Sequence, residues 1–196
     1  IQSIGKIIKS KNPESIFHVD GVQGFGKINI NLRSCCIDSF SFSSHKIHGL
    51  KGLGGLYIRK GLNIKPLLYG GEQQNRIRPG TENTFAIVCF KKACEDAFNN
   101  LDQNYEHVKS LKLKLVESMK SLGDYYVNGD VEETSPYILN MSFLGLKSEI
   151  LLNALSENKI YISTGSACNG DKLSQNLLSH GYDKKSVESA VRFSFS

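Results

Sequence analysis

Apolar residues at Ile1, Ile4, Ile7 and Ile8 fall on one face of a helix, and Lys11-Asn12-Pro13 ends the pattern. Ser15–Asp20 then reads as a buried strand closing on a carboxylate, and Gly21–Gly26 as a turn or short helix. Cys36–Ser43 alternates as a second strand, ending in Ser39-Phe40-Ser41-Phe42-Ser43. A glycine-rich loop, Gly49–Gly54, leads into a third strand, Gly55–Arg59. Residues 61–84 hold Pro66, Gly70, Gly71, Pro79 and Gly80 and read as loop. Helices follow over Thr84–Asn99 and Leu101–Leu122, the second with Val108, Leu111, Leu115 and Met119 on one face. Beyond them the expected order is strand Tyr125–Asn128, strand Tyr137–Phe143, helix Lys147–Glu157 and strand Ile160–Ser163. Helices near 174–180 and 183–190 precede a last strand, Ala190–Phe195. Strands alternating with helices, followed by a mixed half, make this an α/β chain with a domain boundary near residue 100.

Composition adds limits. With 196 residues and 40% hydrophobic content, the chain can bury a core without disulfide staples. The longest apolar run, Phe85–Phe90, is far short of the roughly 18 residues of a membrane span, so no membrane partner is expected. Ile1 leads straight into a Lys-bearing amphipathic stretch, which does not read as a secretory signal. The net charge of +5 is dispersed. Lys109, Lys112, Lys114 and Lys120 read as a solvated helix face, and no aromatics interleave with them as nucleic-acid binding would want.

The five cysteines are Cys35, Cys36, Cys89, Cys94 and Cys168. An odd count without a C-x-x-C pair fits neither a disulfide framework nor a zinc ribbon; a reducing cytoplasm and no metal are expected. Cys89 and Cys94 sit in an apolar helical stretch and read as core thiols, whereas Cys168 has polar, glycine-rich surroundings. Lys46, in Ser43-Ser44-His45-Lys46 at a strand end, is placed for a desolvated amine of lowered pKa, but an ordinary lysine beside a turn fits these residues equally. Asp20 closes another strand, at the end where open α/β sheets bind ligands, yet taken alone it reads better as the start of the next turn.

Taken together, these stretches resemble a family. His18-Val19-Asp20-Gly21-Val22-Gln23-Gly24-Phe25-Gly26-Lys27 is similar to the H-V-D-A-x-Q-x-x-G-K segment of class-V aminotransferase-type enzymes, which use pyridoxal 5'-phosphate (PLP). Ser43–Gly52 resembles that family's S-G/S-H-K-x-x-G-P-K-G, and Gly70–Gln73 with Arg78–Asn83 its G-G-x-Q/E…R-x-G-T-x-N. Asn140–Phe143, Ser163–Cys168 and Val191–Ser194 continue the match, the last two pointing to cysteine desulfurases. Several motifs in compatible order cover essentially the whole chain.

The resemblance implies a fold, an activity and roles. The fold would be the C-terminal part of a PLP-dependent transferase of the type I, aspartate-aminotransferase-like kind. Residues 1–100 would be part of the large domain and its sheet, and 101–196 the small α+β domain, truncated at its end. The activity would convert L-cysteine to L-alanine, with persulfide formed on Cys168 for transfer to a sulfur-acceptor protein in iron–sulfur cluster assembly or tRNA thiolation. Lys46 would hold the cofactor through its amine and later move the Cα proton, and Asp20 would pair with the pyridine nitrogen. Gln23 would meet the ring's phenolic oxygen, and Ser43 and His45 the phosphate. Thr81 would reach the phosphate of the neighbouring subunit's cofactor in a homodimer. Arg192 would hold the substrate carboxylate, with Asn140 beside it.

Two departures qualify this. Leu50 stands where the family has proline, a local change that is expected to be tolerated. The family also carries much more chain ahead of the H-V-D strand, including the histidine that stacks on the cofactor ring. The chain alone is therefore expected not to turn over. A selenocysteine lyase or other class-V enzyme, and a non-catalytic interaction module, are the competing readings.

Overall fold

The computed structural model describes residues 1–164 and 174–196. It divides into two compact units, Ile1–Asp102 and Gln103–Ser196.

The first unit opens with helix α1, Gln2–Lys11, and is built on a three-stranded sheet in the order β1 (His18–Asp20), β2 (Ser39–Ser43), β3 (Gly54–Ile58). Strands β1 and β2 run parallel, with Asp20 opposite Ser41, and β3 is antiparallel to β2, with Gly54 opposite Ser43. The alternation in β2 divides the faces. Phe40 and Phe42 point to one side, where Phe25 stacks on Phe42 at 4.4 Å between ring centroids. Helix α2, Thr84–Asn99, adds Phe90 and Phe98 to this cluster at 5.8 Å from Phe42 and 5.3 Å from Phe25. Its first turn is capped by Asn83, whose side chain accepts from the Ala86 N–H at 3.0 Å. The other face of β2 carries Ser39, Ser41 and Ser43, in register with His18 and Asp20 of β1.

Two expected strands are shorter than the pattern suggests. β1 pairs only from His18, and Ile16 is 64% exposed rather than buried. Cys36 lies at a φ of 56°, in a turn rather than a strand, because the chain bends here to bury Asp38. The Asp38 carboxylate accepts from Lys9 Nζ and Arg59 Nε, both at 2.6 Å, and from the Phe17 N–H at 2.8 Å. It thereby ties α1, the approach to β1 and the end of β3. Burial alone would raise its pKa; the Lys9 ammonium, the Phe17 N–H and the Arg59 guanidinium outweigh it and bring the pKa down to about 2.

The second unit holds most of α3 (Leu101–Met119), then β4 (Tyr125–Val127), β5 (Ile138–Phe143), α4 (Ser148–Glu157), α5 (Gln175–Ser179), α6 (Lys184–Glu188) and β6 (Ala190–Ser194). Its sheet is antiparallel throughout, in the order β4-β5-β6. Leu139, Met141 and Val191 supply the buried apolar side. The strand expected over Ile160–Ser163 is only a single bridge, Ser163 against Arg192. One lysine departs from the expected solvated face. Lys112 is fully buried, because it lies one helical turn beyond the buried Val108. Its ammonium donates to Thr134 Oγ1 at 2.8 Å and the Ser135 carbonyl at 3.2 Å, and burial pushes its pKa down. Cys89 and Cys94 are half-buried rather than core thiols, and the four described cysteines are free. Among the described residues no helix is long and apolar enough to cross a membrane.

Candidate active site

The parallel pairing of β1 and β2 brings their C-terminal ends to one edge of the first sheet. Asp20 ends β1 there, exposed, its Oδ1 accepting from the Val22 N–H at 3.1 Å and from Ser41 Oγ at 3.4 Å. At the end of β2 the chain enters a 3-10 turn, Ser44–Ile47. Ser43 Oγ and His45 Nδ1 lie 2.8 Å apart just ahead of Lys46, which is half-buried. This turn is fixed in place. Ser44 and Ile47 are buried, and the turn packs against α2. At Gly49 a Cβ would lie 2.2 Å from Ser44 Oγ, so only glycine fits where the chain folds back. Gly26, at a φ of 67°, lets the loop after β1 approach both Ile47 and Ala97 of α2. Burial, with the nearby Lys46 charge, pushes the Lys27 pKa down, because two amines close together disfavour each other's charge.

The edge therefore gathers Asp20, Ser43, His45 and Lys46. Gln23 is exposed in the turn that follows Asp20. Thr81 is exposed in the loop leading into α2 and makes no hydrogen bond with that group. Upstream of it, Gly70, Gly71 and Glu72 help to line a separate cleft of about 480 Å³ with Tyr69 and Arg76.

The second unit carries another polar group. In the β5–β6 register Asn140 stands opposite Arg192, so the two side chains share a sheet face. Arg192 is half-buried and its Nη2 donates to Ser163 Oγ at 3.3 Å, while Asn140 Oδ1 accepts from Asn128 Nδ2 at 2.6 Å. Asn128 escapes the sequence reading; its only local sign is an Asn-Gly pair after a short strand. Cys168 lies outside the described residues.

The aminotransferase class-V family model matches residues 1–196. The chain belongs to the class-V aminotransferase family. Within that family it is 37% identical over 199 residues to a putative cysteine desulfurase, IscS 1, of Bacillus subtilis strain 168, covering 100% of this chain and 52% of that protein. A solved NifS-like protein superposes with a TM-score of 0.89 at 36% identity, over 99% of this chain and 50% of that one. A structure titled SspA in complex with cysteine gives a TM-score of 0.72 at 27% identity, over 99% and 53%. The class-V chain thus spans about half the length of the relatives it matches. The α/β fold and the family that the motifs implied are both borne out.

The donor set at the first sheet's edge suits the cofactor that the family implies. A carboxylate fits a pyridinium nitrogen, a hydroxyl–imidazole pair and nearby cations fit a phosphate, and a half-buried amine on a fixed turn fits a carbonyl carbon.

Proposed function

We propose that the protein carrying this chain is a PLP-dependent cysteine desulfurase that acts on L-cysteine and passes its sulfur to an acceptor protein. The observation that carries the reading is the convergence of Asp20, Ser43, His45 and Lys46 on one edge of a class-V fold. The names of the relatives favour cysteine over other amino acids.

PLP, when bound, supplies an electron sink for the substrate's Cα. Ser43 and His45 hold its phosphate, Gln23 its phenolic oxygen, and Asp20 keeps the ring nitrogen protonated. The Lys46 amine holds the cofactor at rest and moves the Cα proton during turnover. In the second unit Arg192 binds the substrate carboxylate, with Asn140 beside it. The Cys168 thiolate attacks the substrate sulfur. The carbon–sulfur bond breaks, a sulfur–sulfur bond forms on Cys168, and the carbon keeps the electron pair and takes a proton to leave as alanine. Thr81 reaches the cofactor phosphate of a second subunit, so the working form is a homodimer, and its free thiols suit the cytoplasm.

The test is release of alanine and sulfide from L-cysteine by the full-length protein with PLP. Equal release of both supports the reading; a preference for selenocysteine, or transamination without sulfide, replaces it with another class-V activity.

A further inference from the structure

The polar face of the second sheet has a fixed hydrogen-bond direction, set by one buried carbonyl. Ser142, fully buried, donates its hydroxyl proton to the Ser186 carbonyl at 2.8 Å. A carbonyl only accepts, so the Ser142 oxygen is left to accept from its other side. It receives a proton from Asn128 Nδ2 at 2.8 Å, which directs the Asn128 NH2 group along this row and leaves Asn128 Oδ1 buried with no hydrogen-bond partner among the described residues. The other Nδ2 hydrogen of Asn128 goes to Asn140 Oδ1 at 2.6 Å. The Asn140 oxygen is thereby committed to Asn128, and its NH2 group is turned away. On the next strand, opposite Asn140, Arg192 Nε is buried and has no hydrogen-bond partner among the described residues.

We infer that Asn128 is a positioning residue: it holds the Asn140 amide oxygen away from Arg192, so that the Asn140 NH2 and the guanidinium both face an amino-acid carboxylate as donors. This rests on the proposed role of Arg192 in holding the substrate carboxylate. An untethered Asn140 oxygen would be drawn to the cation one strand away and would compete with the substrate for it. A carboxylate offers acceptors only, so turning the Asn140 NH2 rather than its oxygen toward it adds a donor beside the guanidinium.

The experiment is a double-mutant cycle in the full-length protein. Asn128→Ala should raise KM for L-cysteine about tenfold, the scale of one buried hydrogen bond, with kcat within about twofold. Asn128→Asp is nearly isosteric and covers the case in which alanine loosens the sheet. Its carboxylate would accept from the Asn140 NH2 and turn the amide oxygen toward Arg192, so KM should rise further. In an Asn140→Ala background, Asn128→Ala should add nothing. The NMR signal of the Arg192 Nε–H, read without substrate, should shift in both Asn128 variants. Arg192→Ala separates the two ideas. If Arg192→Ala raises KM and the Asn128 variants leave it unchanged, the role of Asn128 alone is overturned, as it is if their effect persists without Asn140. If Arg192→Ala leaves KM unchanged, the carboxylate reading fails and this role fails with it.

Discussion

Asp38 shows how one buried charge organises a unit. Its pKa lies at about 2, below the usual carboxylate range, because three donors converge on a side chain that is otherwise removed from water. A carboxylate whose folded pKa is depressed stabilises the fold fully above its unfolded pKa of roughly 3.9. That contribution, about 2 kcal/mol, fades as the pH falls from about 4 towards 2. Denaturation of wild type and Asp38→Asn between pH 2 and 7 checks this. The variant should lose on the order of 3 kcal/mol at neutral pH and most of the acid dependence. At the candidate active site, Lys46→Ala and Cys168→Ser should fail at different points. Lys46→Ala in the full-length protein should abolish alanine formation, whereas Cys168→Ser should still bind L-cysteine and release little sulfide. A serine variant with near wild-type sulfide release would remove Cys168 from the mechanism.

At the level of elements, legibility in the sequence follows the length of the pattern. The alternation Ser39-Phe40-Ser41-Phe42-Ser43 specifies β2 and both its faces, since period two sorts hydroxyls from rings. The helices over Thr84–Asn99 and Ser148–Glu157 carry enough turns to declare themselves. Four-residue elements do not: the 3-10 turn Ser44–Ile47 spans little more than one turn, too short to repeat a pattern, and Gln73–Arg76 likewise sits in a stretch that reads as loop. Lys112 misleads because charge suggests solvent, while its spacing from Val108 puts it on the buried face. The turn that bears Lys46 depends on a single glycine. Gly49→Ala would drive a methyl group against Ser44, which is itself fully buried and cannot swing out. We expect a loss of about 1–3 kcal/mol in thermal or denaturant unfolding, and weaker PLP binding by the full-length variant.

On the scale of the whole molecule, motifs made the placement of Asp20 and Lys46 legible, because Asp20 ends a strand and Lys46 lies in the turn that follows another. The polar row of the second unit was only half legible. Asn140 and Arg192 come from motifs, but the place of Asn128 depends on strand register, which a single sequence does not declare. The outer surface makes a further claim. Leu67 is 96% exposed and Phe85 72%, with Leu68 and Tyr69 also open, apolar side chains that a second copy of the chain can cover. Light scattering on the purified 196-residue chain should therefore give a mass above that of the 21.7 kDa monomer. A clean monomer at high concentration with cooperative unfolding would contradict this. The reaction is tested by the fate of L-cysteine. Incubated with L-cysteine, PLP and a thiol reductant, the full-length protein should yield alanine and sulfide in equal amounts over many turnovers, and the Lys46→Ala variant neither. L-cysteine left intact by PLP-loaded wild type, or consumed equally by the Lys46→Ala variant, would contradict it.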